Sequence, residues 1–366
     1  MNFADNLLEI KNFLKKKRYK NILIITGKNS FYKSGANSLL RSILREIKFK
    51  IYFKRGLIPE IKELKKIVSL VNSLNPDLIL AIGGGTVIDY SKIACCTELK
   101  EISFKKILLG KVKYKKKFQL CVIPTTAGSG AEVTSNSVIF INNKKFSFES
   151  QNLLPDNFFL IPSLILKSNK KLKASSGFDA ISQAIESLIS IKSNQKSVNF
   201  AQQSLKLSLK NYLDFVKRPN KTNTFKMCMS ANLSGKAINI SKTTAPHAVS
   251  YPFTSYFKVS HGHAVSLTLN RFLLFNYHNI NYSKSNFDLK KRYEIIFSLT
   301  KTNSINELDL FLKKLKKKVN LEDSFKKLNI DIKKNHSKII GGINELRLKN
   351  NPINLTKSDI SNILLS

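Results

Sequence analysis

Short, wholly apolar runs separated by stretches of helical spacing fill the first part of the chain. Residues 21–26 (NILIIT) form a β-rich run closed by Gly27, and the loop GKNSFYKSG leads into a helical stretch over 36–47. Together they predict a βα unit. Residues 49–53 (FKIYF) predict the next strand, 60–74 (EIKELKKIVSLVNSL) an amphipathic helix, and 78–82 (LILAI) a strand that is apolar at every position. A continuously apolar strand between helices indicates a parallel sheet covered on both faces. A further strand is expected within FQLCVIP, 118–124. Strand and helix signals alternate to about residue 165, and from about 171 the pattern is helical. The expected architecture is therefore an α/β domain over residues 1–166 and an all-α domain over 167–366.

Two loops at the carboxyl ends of predicted strands carry ligand-type residues. The strand at 78–82 runs into Gly83-Gly84-Gly85-Thr86 and then a helix, VIDYSKIACC. Glycines at such a junction let a backbone approach a ligand closely, and a helix N-terminus offers free N–H groups and a favourable dipole to a phosphate. The strand at 118–124 ends in Thr125-Thr126-Ala127-Gly128-Ser129-Gly130-Ala131-Glu132, which can line a second side of the same site. Open α/β sheets bind ligands at these strand ends. Taken alone, the glycine run can also be read as a tight strand-to-helix turn.

In the helical half, three of the five histidines fall in one stretch, KAINISKTTAPHAVSYPFTSYFKVSHGHAV at 236–265. His247 and His261 are fourteen residues apart, with Pro246 able to open a helix before the first. Two imidazoles suit a borderline divalent metal that needs one or two further ligands. The helix around FDAISQAIESLIS offers them: Asp179 and Gln183, four apart, share a face, and Glu186 lies at the next turn. Each feature has a plainer reading, as buried hydrogen-bonded histidines and a solvated helix face.

Charge and composition change little. The net charge is +38, from 62 Lys+Arg against 24 Asp+Glu. A basic field favours polyanions, but the lysines occur in short runs along the whole chain and no nucleic-acid motif accompanies them. The bias fits a genome rich in Lys, Asn and Ile codons. A nucleic-acid partner is not expected. No apolar run approaches a membrane span, and the first residues carry Asp5 and Glu9 where a signal peptide would be apolar, so no membrane is expected and the cytoplasm is the default location. Cys95, Cys96, Cys121 and Cys228 include no CxxC and are read as reduced, buried residues.

The motifs GGGTVID (83–89), PTTAGSGAE (124–132), FDAISQAIES (178–187), the pair His247 and His261, and LKNNPINLT near the C-terminus resemble, in order and spacing, the iron-containing (group III) alcohol dehydrogenase family. The resemblance covers essentially the whole chain. Within the family, the 236–265 stretch and the Gln in DAISQAIES look closest to the phosphonoacetaldehyde reductases. The resemblance implies a Rossmann-like N-terminal domain, an all-helical metal- and substrate-binding C-terminal domain, and a reaction in the cleft between them. The activity implied is hydride transfer between a nicotinamide and a carbonyl carbon polarised by the metal.

By the same resemblance, Asp179, Gln183, His247 and His261 are the metal ligands, with Gln183 standing where many members have a histidine, so Fe²⁺ and Zn²⁺ both stay open. Tyr251, where many members have a histidine near the nicotinamide, and His263 are the catalytic candidates. Gly84, Gly85, Thr86, Asp89, Thr125, Thr126, Ser129 and Lys145 would hold the cofactor. Phe53-Lys54-Arg55-Gly56 after the second strand, where an acidic residue would favour NADH, tilts the expectation toward NADPH. The implied substrate is a small anionic aldehyde, phosphonoacetaldehyde reduced to 2-hydroxyethylphosphonate, with Lys242, Thr243, Thr244, Ser250 and Ser255 as donors to its anionic group. A homodimer or larger is implied. The alternatives are a general short-chain alcohol dehydrogenase of the family, a lyase of the dehydroquinate synthase type, and an inactive relative. The TTAGSGAE loop and ligand spacing match the dehydrogenase branch better, and net NADPH consumption separates it from the lyase.

Overall fold

Strands form where aliphatic and aromatic residues cluster between the helical stretches. In the computed structural model, which describes residues 7–44, 47–56 and 58–365, these are β1 (Asn21–Gly27), β2 (Lys48–Lys54), β3 (Leu78–Gly83) and β4 (Gln119–Pro124). With β7 (Asn157–Phe158) they make a parallel sheet in the order β2-β1-β3-β4-β7. The antiparallel hairpin β5 (Asn136–Ile141) and β6 (Lys144–Glu149) forms a second, two-stranded sheet. Around them lie α1 (Leu7–Lys16), α2 (Lys28–Ser34), α3 (Ala36–Ile43), α4 (Ile61–Leu74), α5 (Gly85–Ala94), α6 (Phe104–Leu108) and α7 (Pro162–Leu166).

Both faces of the sheet are covered, as the unbroken apolar strands require. Leu23, Ile25, Ile79, Ala81, Leu120 and Val122 pack with Leu64, Ile67 and Val71 of α4 and Ile88 of α5. The alternate residues, Ile22, Ile24, Leu80, Ile82 and Ile123, pack with Ile10, Leu14, Phe31, Leu40 and Phe159. Period-two alternation thus divides each strand between two cores.

The structure departs from the sequence expectation at several points. The stretch expected as the loop GKNSFYKSG is largely α2, because Phe31 buries against the sheet and Gly35, at φ 89°, ends the helix in the left-handed region. The helix expected over 36–47 ends at Ile43; residues 45 and 46 lie outside the described residues, as does Asp5. The β5–β6 hairpin was unforeseen. Its signal is Asn142-Asn143, both at positive φ (50° and 61°), the pairing that two-residue hairpin turns demand.

Residues from Asn169 onward, with Ala127–Ser129, form a second compact unit; the first comprises the chain up to Thr126 and Gly130–Ser168. The second unit holds α8 (Lys170–Ile189), α9 (Gln195–Lys217), α10 (Lys221–Ser241), α11 (Ala245–Ser255), α12 (His261–His278), α13 (Leu289–Thr300), α14 (Ile305–Lys318), α15 (His336–Gly341), α16 (Glu345–Leu348) and α17 (Lys357–Leu365). α8 is its central helix, buried from Lys173 to Ile189 except for Ser176. Small residues along it (Ala174, Ser175, Gly177, Ala180, Ala184) let neighbouring helices come close. No helix among the described residues is long and apolar enough to cross a membrane.

Candidate metal centre

Three helices of the second unit converge on one point. α8 contributes Asp179, α11 His247 and α12 His261. Pro246 is in the first turn of α11, where its missing N–H is harmless, and the helix start places His247 one residue later. Pro252 interrupts the same helix. It cannot bond the carbonyl of Ala248, which instead accepts from the backbone N–H of Asn344 at 3.2 Å. α12 begins at His261 and crosses α8 at Gly262. A Cβ there would lie 2.0 Å from the carbonyl oxygen of Ser175 and 2.8 Å from Cβ of Asp179. Only glycine allows this approach. Ser175 of α8 also accepts a hydrogen bond from the His263 backbone N–H (3.1 Å), so one helix caps the N-terminus of the other.

The ligand-type atoms of Asp179, His247 and His261 lie within 4.8 Å of one another. Nε2 of His247 is 3.3 Å and Nε2 of His261 3.9 Å from Oδ1 of Asp179. Ligands about 2.0–2.2 Å from a tetrahedral ion stand roughly 3.4 Å apart, so this donor set fits a divalent metal. Asp179 and His247 are buried, whereas the His261 side chain is 38% exposed, which leaves an accessible side to the cluster. The cavity favours positive charge. Burial penalises the charged imidazole of His247, but Glu186 and Asp179 outweigh it and push its pKa up to about 9. Burial likewise acts to raise Asp179, and the two histidines outweigh it and hold its carboxyl below the usual value.

Gln183, one turn along α8 from Asp179, is hydrogen-bonded to this cluster. Its Nε2 donates to Oδ2 of Asp179 at 3.3 Å and to the Ser129 carbonyl at 3.4 Å, while Oε1 accepts from Ser234 at 2.9 Å. The ionised carboxylate beside it accepts only, which dictates that orientation. Tyr251 stacks on the His261 ring, centroids 5.6 Å apart and planes within 5°. His263 is two residues past His261, so on the far side of α12, where Nε2 donates to the Glu322 carbonyl at 2.7 Å. Of the donors expected for an anionic substrate group, Thr244 is engaged by Glu186 and the Ser250 hydroxyl donates to the His247 carbonyl. Lys242 donates to the Asn239 carbonyl.

In the first unit, the residues that follow β3 and β4 come side by side. Thr125 N–H donates to the Gly83 carbonyl at 3.1 Å, and a Cβ on Gly84 would stand 3.4 Å from the Thr126 side chain. Gly84 precedes α5 without a side-chain cap, so the first turn of α5, at Gly85 and Thr86, directly follows the end of β3. Behind them α5 is clamped by Lys92, fully buried, whose Nζ donates to the Thr134 carbonyl and hydroxyl and to the Asn136 carbonyl. Asp89 lies between Lys92 and Lys145 in electrostatic reach; burial pushes its pKa up to about 6 against both lysines. Sequence reasoning missed Lys92, for which the only signal was a lysine on the apolar face of the helix. At the end of β2, Lys54 Nζ donates to the Gly56 carbonyl (2.6 Å). The buried Glu63 carboxylate accepts from Tyr52 and from Arg55 N–H.

Known proteins resemble this chain in sequence and in fold. The bifunctional aldehyde-alcohol dehydrogenase of Escherichia coli is 27% identical over 276 residues, 70% of this chain and 31% of that protein. The phosphonoacetaldehyde reductase of Streptomyces viridochromogenes is 28% identical over 220 residues, 57% of this chain and 55% of that protein. The match thus spans less than two thirds of either relative. The solved structures of sulfoacetaldehyde reductase from Bifidobacterium kashiwanohense and alcohol dehydrogenase from Oenococcus oeni have this fold. Their TM-scores are 0.84 and 0.85 at 24% and 22% identity, covering 98% of this chain and 94% and 95% of theirs. The profile of iron-containing alcohol dehydrogenases matches residues 2–162, and that of the C-terminal part of Fe-containing alcohol dehydrogenases matches 173–366. With both parts matched in sequence and in fold, the chain belongs to the iron-containing alcohol dehydrogenase family.

Proposed function

We propose that the chain is a metal-dependent oxidoreductase that uses a nicotinamide cofactor to reduce a small aldehyde to a primary alcohol. The convergence of Asp179, His247 and His261 carries this reading. These three would hold one divalent ion, Zn²⁺ or Fe²⁺, with Gln183 orienting Asp179 and positions left open toward His261. An ion held there supplies Lewis-acid polarisation of a carbonyl oxygen, and the nicotinamide supplies the hydride. Gly84, Gly85 and Thr86 would cradle the pyrophosphate, with Asp89, Thr125, Thr126, Ser129 and Lys145 as the remaining cofactor contacts. Tyr251, fixed by its stack on His261, would give a proton to the product oxygen. Lys54 and Arg55 at the end of β2 support NADPH over NADH.

For substrate, likeness to a phosphonoacetaldehyde reductase supports a phosphonate-bearing aldehyde. A plain short-chain aldehyde is the second reading, favoured by the engagement of Thr244, Ser250 and Lys242 within the protein. Purified chain reconstituted with Fe²⁺ or Zn²⁺ is assayed with NADPH and NADH against phosphonoacetaldehyde, lactaldehyde and simple aldehydes of similar size. Preferential turnover of phosphonoacetaldehyde supports the first reading. Equal or better turnover of the others refutes it and leaves the dehydrogenase reading intact, and no turnover of any aldehyde refutes both.

A further inference from the structure

Glu186 is fully buried on α8, seven residues beyond Asp179 and therefore on the same face two turns along. Four donors surround its carboxylate. Oε1 accepts from the backbone N–H of Thr244 (2.9 Å), the Thr244 hydroxyl (3.0 Å) and the backbone N–H of His247 (3.3 Å), and Oε2 accepts from Nδ1 of His247. Thr244 is the N-cap of α11 but makes no side-chain cap of its own, so Glu186 caps that helix and places negative charge at its positive end.

We propose that Glu186 is the positioning residue that sets the tautomer of His247 for metal binding. The inference rests on the reading of Asp179, His247 and His261 as a metal site. The two backbone N–H groups can only donate and both meet Oε1, so Oε1 is fixed as the acceptor at the start of α11 and Oε2 is the oxygen held against Nδ1 of His247. With Nδ1 of His247 donating to Glu186, Nε2 is the nitrogen left on the side where Asp179 Oδ1 stands 3.3 Å away, and its lone pair is the one a metal would take in place of the Nε2 proton. The rings of imidazole ligands are commonly held this way by a carboxylate on the far nitrogen. Here the ligand Asp179 and the residue that orients its neighbour share one buried helix, so both are positioned by the same rigid element.

Glu186→Gln tests this sharply because it keeps the shape and the helix cap. The amide oxygen must face the two backbone N–H groups, leaving its NH₂ against Nδ1. Nδ1 must then accept, which moves the ring proton to Nε2 and removes the lone pair from the metal. Zn²⁺ and Co²⁺ dissociation constants, measured by competition with a chromophoric chelator, should rise roughly 10–100-fold in Glu186→Gln. In the His247→Ala background the same change should add nothing. A purely structural role predicts dissociation constants within about threefold of the parent, or equal losses in both backgrounds, and either result overturns the inference. A third measurement needs no variant: long-range ¹⁵N–¹H spectra of the Zn²⁺-loaded parent should show the proton on Nδ1 of His247, and a metal-bound Nδ1 overturns the inference. A parent that takes up neither ion overturns the metal reading and this inference with it. A metal-binding parent with an equally tight Glu186→Gln variant overturns this inference alone.

Discussion

Gly262→Ala isolates the dependence of the metal centre on helix approach. The glycine is in the first turn of α12, between His261 and His263, and its backbone suits an L residue, so an alanine there meets a problem of space alone. The added Cβ would be 2.0 Å from the Ser175 carbonyl oxygen and 2.8 Å from Asp179 Cβ, and the nearest of these is backbone, which cannot rotate away. Contacts shorter than 3.0 Å do not persist, so α12 must retreat from α8 by about 1 Å at this point. Metal–ligand distances tolerate only about ±0.2 Å. His261 moves with α12 while Asp179 stays on α8. We expect metal affinity to fall on the order of 10²-fold, with a stability loss of about 1–3 kcal/mol from overpacking. Gly341→Ala, where a Cβ meets nothing within 4 Å, is the control and should leave affinity unchanged. Chelator competition measures the affinity and urea unfolding the stability. A Gly262→Ala protein binding Zn²⁺ within threefold of the parent would refute the argument that close packing of α8 and α12 builds the site.

The other expectations concern single groups. Tyr251→Phe keeps the stack on His261 and should leave metal affinity unaltered while lowering kcat about 10²-fold; an unchanged kcat would assign the ring to packing alone. Lys92→Ala strands the carbonyls of Thr134 and Asn136 inside the first unit and should cost about 3 kcal/mol in urea unfolding; a loss below about 1 kcal/mol would show that the clamp contributes little. Stripping the metal with a chelator should lower stability by about 2.7 kcal/mol relative to protein at one hundred times the dissociation constant, because the ion binds the folded site. Equal melting temperatures with and without Zn²⁺ would contradict a preformed site.

The strands at 21–26, 78–82 and 118–124 were legible because apolar runs of that length between helices have few other solutions, and that at 49–53 because its residues, Lys50 aside, are β-branched or aromatic. The glycine and threonine loops were legible for the same local reason: their composition is needed at a strand end wherever it occurs. α2 was not. Its helical character comes from burying Phe31 against the sheet, a contact that its polar neighbours conceal. The β5–β6 hairpin showed only a weak local signal, the Asn142-Asn143 pair.

At the metal centre the sequence by itself determined the residue types and their order: Asp179 and Glu186 on one helix face, and two histidines fourteen residues apart. Tertiary structure alone decided what each side chain meets. Gln183, legible as an oxygen ligand, turns its amide nitrogen toward Asp179, since hydrogen-bond direction follows from the neighbouring charge and not from spacing. His263 went to the far side of α12, and Glu186 became the partner of His247 across 61 residues of chain. Periodicity reports which face of its own helix a residue occupies. Which other helix meets that face, and at what distance, is set by packing, here by a glycine small enough to let α12 touch α8.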